Sequence, residues 1–258
     1  MQLPVTSTEA NRRAAKLVLS LATTPKDLRE VQRLRYKVFV EGLGLSALAN
    51  ADRLDQDEFD NYCDHLIVRD TTTLKVVGTY RLLSASAARR IGRFYSESEF
   101  DLCRLDNLRE RIVEAGRACI HPNYRSGSVI MLLWSGLAAY MQRERCDYLI
   151  GCASMSLADG GHNAVAVYKE LSKTYMAPSE YSVVPHLPFP IAELSCADSA
   201  VKPQIPPLIK GYMRSGGWLC GAPAWDPEFH SADLFLILRL SNLDGRYARH
   251  YGTEEGAK

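Results

Sequence analysis

The sequence predicts one mixed α/β domain, with a central sheet flanked by helices. Three observations carry that expectation. The chain has 258 residues, 47% hydrophobic and 24% charged, which is ordinary for a globular protein and enough to bury a sizeable core. Its apolar segments switch between strand and helix spacing in the order strand, helix, two adjacent strands, central strand, helix, strand, helix, final strands. No internal repeat or low-complexity tract interrupts that order.

Taken in turn, residues 1–16 are polar and read as a flexible N-terminal segment, and 253–258 as a C-terminal tail. The domain is expected over 17–252. Leu17 to Ala22 reads as a first strand. Thr24-Pro25-Lys26-Asp27 then offers a hydroxyl N-cap, a proline at the first helical position and an acid at the third, which start a helix. Leu28, Val31, Leu34 and Val38 follow at helical spacing, and Gly42 and Gly44 end it. Residues 45–62 form a long acidic loop, a feature often tied to function. Strands are expected at 65–69 and 74–83, and a helical or irregular stretch over 84–109. A strand at 111–120, a helix near 128–144, a strand at 147–152 and a helix near 162–175 follow. The proline-rich stretch 178–207 forms no clear element. Pro206-Pro207 starts a short helix, and strands at 218–220 and 234–240 flank the loop 221–231.

Several functions are disfavoured. A net charge of +1 gives no bulk argument for nucleic acid. The seven cysteines are scattered and odd in number, which argues against a disulfide framework or a zinc knuckle. No His, Cys or Asp group has metal-ligand spacing, so no metal is expected. The N-terminus lacks the form of a signal peptide, and the apolar run Val129 to Met141 is too short to span a bilayer. A cytoplasmic protein is expected, with contact at a membrane surface left open.

The segment Glu110 to Arg125 carries the strongest functional signal. A strand that holds Glu114 and Arg117 among apolar residues must compensate their charge. The loop after it leads into a helix, whose N-terminus presents backbone N–H groups. In a regular strand Glu114 and Arg117 face opposite sides, so a shared site requires a bulge, for which Gly116 is a candidate. The alternative is that Glu114 forms an ion pair with Arg81 or Arg117 inside the sheet.

Beyond these readings, the chain resembles the acyl-ACP-dependent branch of the GNAT acyltransferase superfamily, and within it the ornithine Nα-acyltransferases, over about residues 17–250. The resemblance rests on Leu34-Arg-Tyr-Lys-Val-Phe-Val-Glu41, Asp57-Glu-Phe-Asp60, Val77-Gly-Thr-Tyr-Arg-Leu-Leu83 and Phe94-Tyr-Ser-Glu-Ser-Glu-Phe100. Glu114-Ala-Gly-Arg117, His121-Pro-Asn-Tyr-Arg125, Gly151-Cys-Ala-Ser154, Pro206 to Tyr212, and Ala224-Trp-Asp-Pro227 through Asp233-Leu234 complete it. The first helix, the acidic loop and the glutamate/arginine strand are also similar to acyl-homoserine-lactone synthases. The resemblance implies a GNAT-like (acyl-CoA N-acyltransferase) fold and transfer of a 3-hydroxyacyl chain to the α-amine of ornithine, giving lyso-ornithine lipid. Acetyl-CoA-using relatives carry a glycine-rich turn R-G-x-G-x-G/A; here Arg125-Ser-Gly-Ser-Val-Ile130 retains only Gly127. That departure suits a donor without a pyrophosphate, namely acyl carrier protein (ACP), and no bound cofactor is expected.

On this reading Glu114 is the general base and Arg117 its catalytic companion. Backbone N–H groups from Arg117 to Ile120 are the oxyanion donors. Ala118, Ile120, Arg125 and Gly127 would hold the phosphopantetheine arm. Arg35, Phe39, Arg81 and Ser154 would shape the substrate pocket, and Asp57 and Asp60 would hold a cationic acceptor. The alternatives are a helix-surface role for Arg35, a strand-end charge for Arg81 and a solvated loop for the two aspartates. Arg89, Arg90, Arg93, Arg143, Arg145, Lys202, Lys210 and Arg214 could form a basic face for ACP. Three rival functions stay open: acylation of another amino acid, homoserine-lactone synthesis, and a catalytically silent acyl-carrier or lipid-binding protein.

Overall fold

The computed structural model describes residues 16–45, 48–195 and 202–242. The expected tail, nearly all of the expected N-terminal segment, and Cys196 lie outside them. Strand β1 (Leu17–Leu21) is followed by helix α1 (Pro25–Tyr36). Thr24 and Asp27 form the expected capping box, and a π-helical turn (Lys37–Glu41) extends α1 toward Gly42. Strands β2 (Asp64–Asp70) and β3 (Val76–Ser84) come next, then helix α2 (Ala85–Ile91) and a 3-10 turn (Tyr95–Ser98). Strand β4 (Phe100–Asp101) precedes a second 3-10 segment (Cys103–Arg111). The centre is β5 (Ile112–Ile120), α3 (Ser128–Arg143), β6 (Tyr148–Ser156) and α4 (His162–Tyr175). The chain finishes with β7 (Val184–Pro185), α5 (Ile191–Ser195), α6 (Pro207–Arg214), β8 (Trp218–Leu219), β9 (Ala224–Asp226) and β10 (Ser231–Arg239).

The main sheet runs β1-β2-β3-β5-β6-β10-β8, with β9 also paired to β10, while β4 and β7 form a separate ribbon. Its ladders are antiparallel except β5 with β6, which α3 connects. Period-2 alternation sorts side chains to two faces. Val113, Leu149, Leu236 and Leu82 pack on one face with α3, α4 and α6. Ile112, Ile150, Phe235 and Leu83 pack on the other with α2 and the 3-10 segments. Helix α1 lies on that second face too, where Val31 and Leu34 meet Ile67 and Cys119.

Two features open the sheet at its centre. Strands β5 and β6 are paired only from Ile112↔Tyr148 to Glu114↔Ile150. Beyond that, β6 stays on β10 to Ser156 while β5 stays on β3. Strand β5 also carries a bulge, because Thr79 faces Cys119 while Arg81 faces Gly116. The sequence pointed to Gly116 for this bulge; the left-handed residue is Arg117, with φ of 51°. No helix among the described residues is long and apolar enough to cross a membrane.

Candidate active site

A cavity of about 660 Å³ fills the opening between β5 and β6. Its lining comes from both faces of the sheet. On the face of α1 and α2 it is polar, with Arg81, Tyr95, Glu114, Arg117, Ser154 and Asp233. On the face of α3 and α6 it is apolar, with Leu149, Ala153, Leu208, Tyr212, Leu236 and Leu238. The alternation along β5, β6 and β10 produces this division: Glu114 and Ala115, like Asp233 and Leu234, point opposite ways. The cavity therefore connects a charged chamber to a greasy one through the parted strands.

Glu114 is 4% exposed and pairs with neither arginine. The 3-10 turn after Phe94 holds it: Tyr95 N–H donates to Oε2 at 2.6 Å, Ser96 N–H donates to Oε1 at 2.8 Å, and the Ser96 hydroxyl adds a short bond to Oε1. Glu97 fastens this turn by accepting from Phe94 N–H at 2.6 Å and pairing with Arg109 at 2.7 Å. Burial pushes the Glu114 carboxyl up, against the lowering effect of the Ser96 and Tyr95 donors. The motif piece Phe94 to Phe100 gives no hint of this cradle, because backbone N–H groups carry no side-chain signature.

The bulge turns Arg117 into the same chamber. Its guanidinium lies 5.0 Å from the Tyr95 ring centroid and 4.6 Å from that of Phe229. Nη2 donates to Asp57 at 3.3 Å, while Nε is buried with no hydrogen-bond partner. Arg81 is 4% exposed and joins Asp57 at 2.6 Å and Asp60 at 3.0 Å.

Three expected substrate contacts, Arg35, Asp57 and Asp60, sit differently. Arg35 is fully buried rather than on the helix surface, binding Asp60 at 2.8 Å and Asp55 at 2.5 Å. Asp60, at 3% exposure, also accepts from Gln32 at 2.9 Å. Burial alone would raise Asp60, yet Arg35 and Arg81 outweigh it and hold the carboxyl well below the usual range. Neither residue lines the cavity, nor does Asp57, and the acidic loop is tied down by Arg35, Arg81 and Arg117. Phe39 and Ser154 do line it, as does Ala118.

Of the residues expected near the donor arm, Ile120, Arg125 and Gly127 lie past the cavity. His121 N–H donates to Val77 at 2.8 Å, so ladder alternation turns the Ile120 N–H away from β3, toward the opening. Gly127, with φ of 100°, caps α3 without a side-chain hydrogen bond. Arg125 Nε reaches the Ile120 carbonyl at 3.4 Å.

The fold also assembles a group that sequence spacing concealed. Glu99, Cys152 and Asp233 bring one ligand atom each within 4.8 Å of one another. Asp233 is 3% exposed and accepts from Ser231 at 2.6 Å and Ser154 at 3.0 Å. Both Glu99 oxygens are buried without a partner. Burial and the neighbouring Asp233 push Glu99 up to about 9, and burial with Asp226 nearby pushes Asp233 up to about 6. The three residues come from three distant segments, so no motif links them.

Comparison with known proteins agrees with this architecture. Residues 34–135 match the acetyltransferase (GNAT) domain. Among solved structures, BjaI, a CoA-dependent acyl-homoserine lactone synthase, superposes with a TM-score of 0.55 at 13% identity, covering 91% of this chain and 90% of that one. FeeM, an N-acyl amino acid synthase from uncultured soil microbes, gives 0.52 at 10% identity over 88% and 92%. Both show a shared fold. The L-ornithine N(alpha)-acyltransferase of Brucella abortus is 32% identical over 94% of this chain and 91% of that protein. The protein of the same name from Agrobacterium fabrum is 35% identical over 94% and 87%. With a GNAT fold parted at its central strands and relatives of this identity along nearly its whole length, the chain is an acyltransferase and belongs to the L-ornithine N(alpha)-acyltransferase family.

Proposed function

We propose that this chain moves an acyl group from the phosphopantetheine thioester of ACP to the α-amine of ornithine, giving lyso-ornithine lipid. The observation that carries this reading is the two-sided cavity through the sheet. An acyl chain fits the apolar chamber, an amino acid fits the charged one, and the thioester carbonyl falls at the opening between them. Glu114 takes a proton from the ammonium, directly or through one water. The freed amine attacks the carbonyl carbon, and backbone N–H groups near Ala118 and Ile120 stabilise the oxyanion. The C–S bond then breaks as the C–N bond is kept, the proton passes from Glu114 to the departing sulfur, and the freed Glu114 carboxylate takes the second proton from the acylated nitrogen and releases it to water. Arg117 beside Tyr95 orients the acceptor.

The ACP donor is supported by the start of α3, where an uncapped helix N-terminus suits a single phosphate. Several expected basic residues are already engaged, Arg89 with Glu110, Arg93 with Glu58 and Arg143 with Asp64. No salt bridge among the described residues involves Lys210, Arg214 or Arg125, which leaves them for an acidic carrier. A lipid product suits work at the inner face of the cytoplasmic membrane. Val184, Leu187 and Trp225 are exposed, and Trp225, whose N–H donates to the Leu187 carbonyl, directly precedes Asp226 of the cavity lining.

The test is a mass-spectrometric product assay with 3-hydroxyacyl-ACP and a pool of amino acids, with Glu114→Gln beside the wild type. Acylated ornithine that is lost in the variant supports substrate and base together. Another acylated amine would replace the acceptor, and acylation from acyl-CoA alone would replace the donor.

A further inference from the structure

Apart from Glu114, the charged chamber is divided by sign. Arg81 and Arg117 stand on one wall, while Asp226, Glu228 and Asp233 line the other, with Glu99 beside Asp233. The two walls are treated differently by their surroundings. The arginines are matched by Asp55, Asp57 and Asp60. Among the described residues, no salt bridge involves Asp226, Glu228, Asp233 or Glu99. The charges that act on Glu99 come from Asp233, Asp226 and Glu114, all acidic. Buried carboxyls crowded together without a cation hold on to their protons, and an arriving cation would complete them as carboxylates.

The details favour an ammonium group. The Ser231 and Ser154 hydroxyls each donate to Asp233, which fixes its orientation and leaves its other lone pairs for a ligand. Both oxygens of Glu99 are buried beside the Cys152 thiol and the Asp233 carboxyl, and no salt bridge among the described residues reaches them. An ammonium offers three donors in a compact head and can bridge two carboxylates. On the opposite wall the Arg117 guanidinium, its Nε held 3.7 Å from Asp55, still lines the cavity, so a cation for an α-carboxylate stands across from acceptors for a second amine. Cys152, the third member of the group, is half-buried, and its thiol sits 3.4 Å from the Ser96 hydroxyl.

We propose that Asp233, backed by Glu99, binds the side-chain ammonium of the acceptor and thereby selects a diamino acid over a neutral one. This rests on acyl transfer to an amino acid, the reading given above. Asp233 is then a specificity-determining residue, separate from the proton transfer at Glu114.

The experiment compares kcat/KM for ornithine and for norvaline, which has the same carbon chain without the second amine, in wild type, Asp233→Asn and Glu99→Gln. Wild type should prefer ornithine. Asp233→Asn should lower kcat/KM for ornithine on the order of 30-fold or more, as loss of a buried charge partner does. Norvaline should change less than about threefold on the same reasoning, because it never uses the carboxylate. Glu99→Gln should move the ratio the same way by less. Should Asp233→Asn fail to fold, Ser154→Ala, which removes one hydroxyl that orients Asp233, should erode the same ratio. An equal loss with both acceptors would make Asp233 part of the proton transfer and overturn the proposal, as would an unchanged ratio. Activity lost to a chelator and restored by zinc would give Glu99, Cys152 and Asp233 to a metal. A wild-type protein that acylates no amino acid would remove the underlying reading, an outcome seen before any variant is made.

Discussion

Arg35 and Asp60, 25 residues apart in sequence, form a buried ion pair of 2.8 Å between Nη1 and Oδ1. The pair joins α1 to the acidic loop, and the same Asp60 carboxylate reaches on to Arg81 at 3.0 Å in the cavity wall. Removing one partner strands a charge away from water. Arg35→Ala should therefore cost about 3–5 kcal/mol in urea unfolding. Asp60 sits below its ordinary value in the fold, so its contribution is present above the unfolded value of 3.8 and is lost as pH falls below it. Asp60→Asn should remove that part of the acid sensitivity, visible as a flatter dependence of the urea midpoint on pH.

Ser96 tunes Glu114 through its hydroxyl and its N–H. Ser96→Ala deletes the hydroxyl donor, which lowers the Glu114 value, so the carboxyl should ionise at higher pH. The acid limb of kcat/KM should move upward, with a several-fold loss at the acidic end and little change at the alkaline plateau. An unmoved limb would take Glu114 out of the proton transfer.

Arg117 works as a flat cation between Tyr95 and Phe229. Lysine keeps the charge and loses the plane, so Arg117→Lys should lower kcat/KM about tenfold or more. A thermal melt near that of wild type should accompany the loss, because the left-handed backbone at this position is equally unfavourable for both residues.

Gly151 marks the point where β6 leaves β5. A Cβ there would meet the Ala115 carbonyl oxygen at 2.3 Å, a backbone atom that cannot step aside alone. Gly151→Ala should destabilise by about 1–3 kcal/mol and distort the opening, so acyl transfer should fall further than stability alone explains. Equal loss of stability and none of activity would detach the opening from catalysis.

Glu99 gives a test that needs no substrate. Its folded value of about 9 lies above the ordinary 4.5. Between those limits the unfolded chain releases a proton that the folded chain keeps, so stability falls as pH rises and levels off above the upper limit. Glu99→Gln should raise the melting temperature relative to wild type by an amount that grows across that window.

Much of this organisation was legible in the sequence, and the exceptions share a cause. Helix α4 begins and ends where the apolar spacing of residues 162–175 puts it. Strand β6 runs past Cys152 to Ser156, because Ser154 and Ser156 face a cavity and so look like loop residues. Strand β9, at Ala224–Asp226, is too short to leave a periodic signal. Glu114 and Arg117 were conspicuous as charges in an apolar strand. Tyr95, Ser96 and Glu99 were not, since the first two act on Glu114 largely through backbone N–H groups and the third gains its character from Asp233, far away in the chain. Arg35 was visible as a residue, yet only the packing of the acidic loop over α1 shows that it faces inward.

The short pairing of β5 with β6 divides the sheet into two leaves, β1-β2-β3-β5 and β6-β10-β8, joined edge to edge over three register pairs. The leaves are continuous ladders, while the seam between them has few cross-links, so local opening events should concentrate there. Amides along the seam, Ile120 among them, should exchange with solvent deuterium sooner than those at the centre of either leaf. A donor arm lodged in the seam would bridge the leaves and slow exchange in both at once, giving the empty enzyme two cooperative units and the loaded enzyme one.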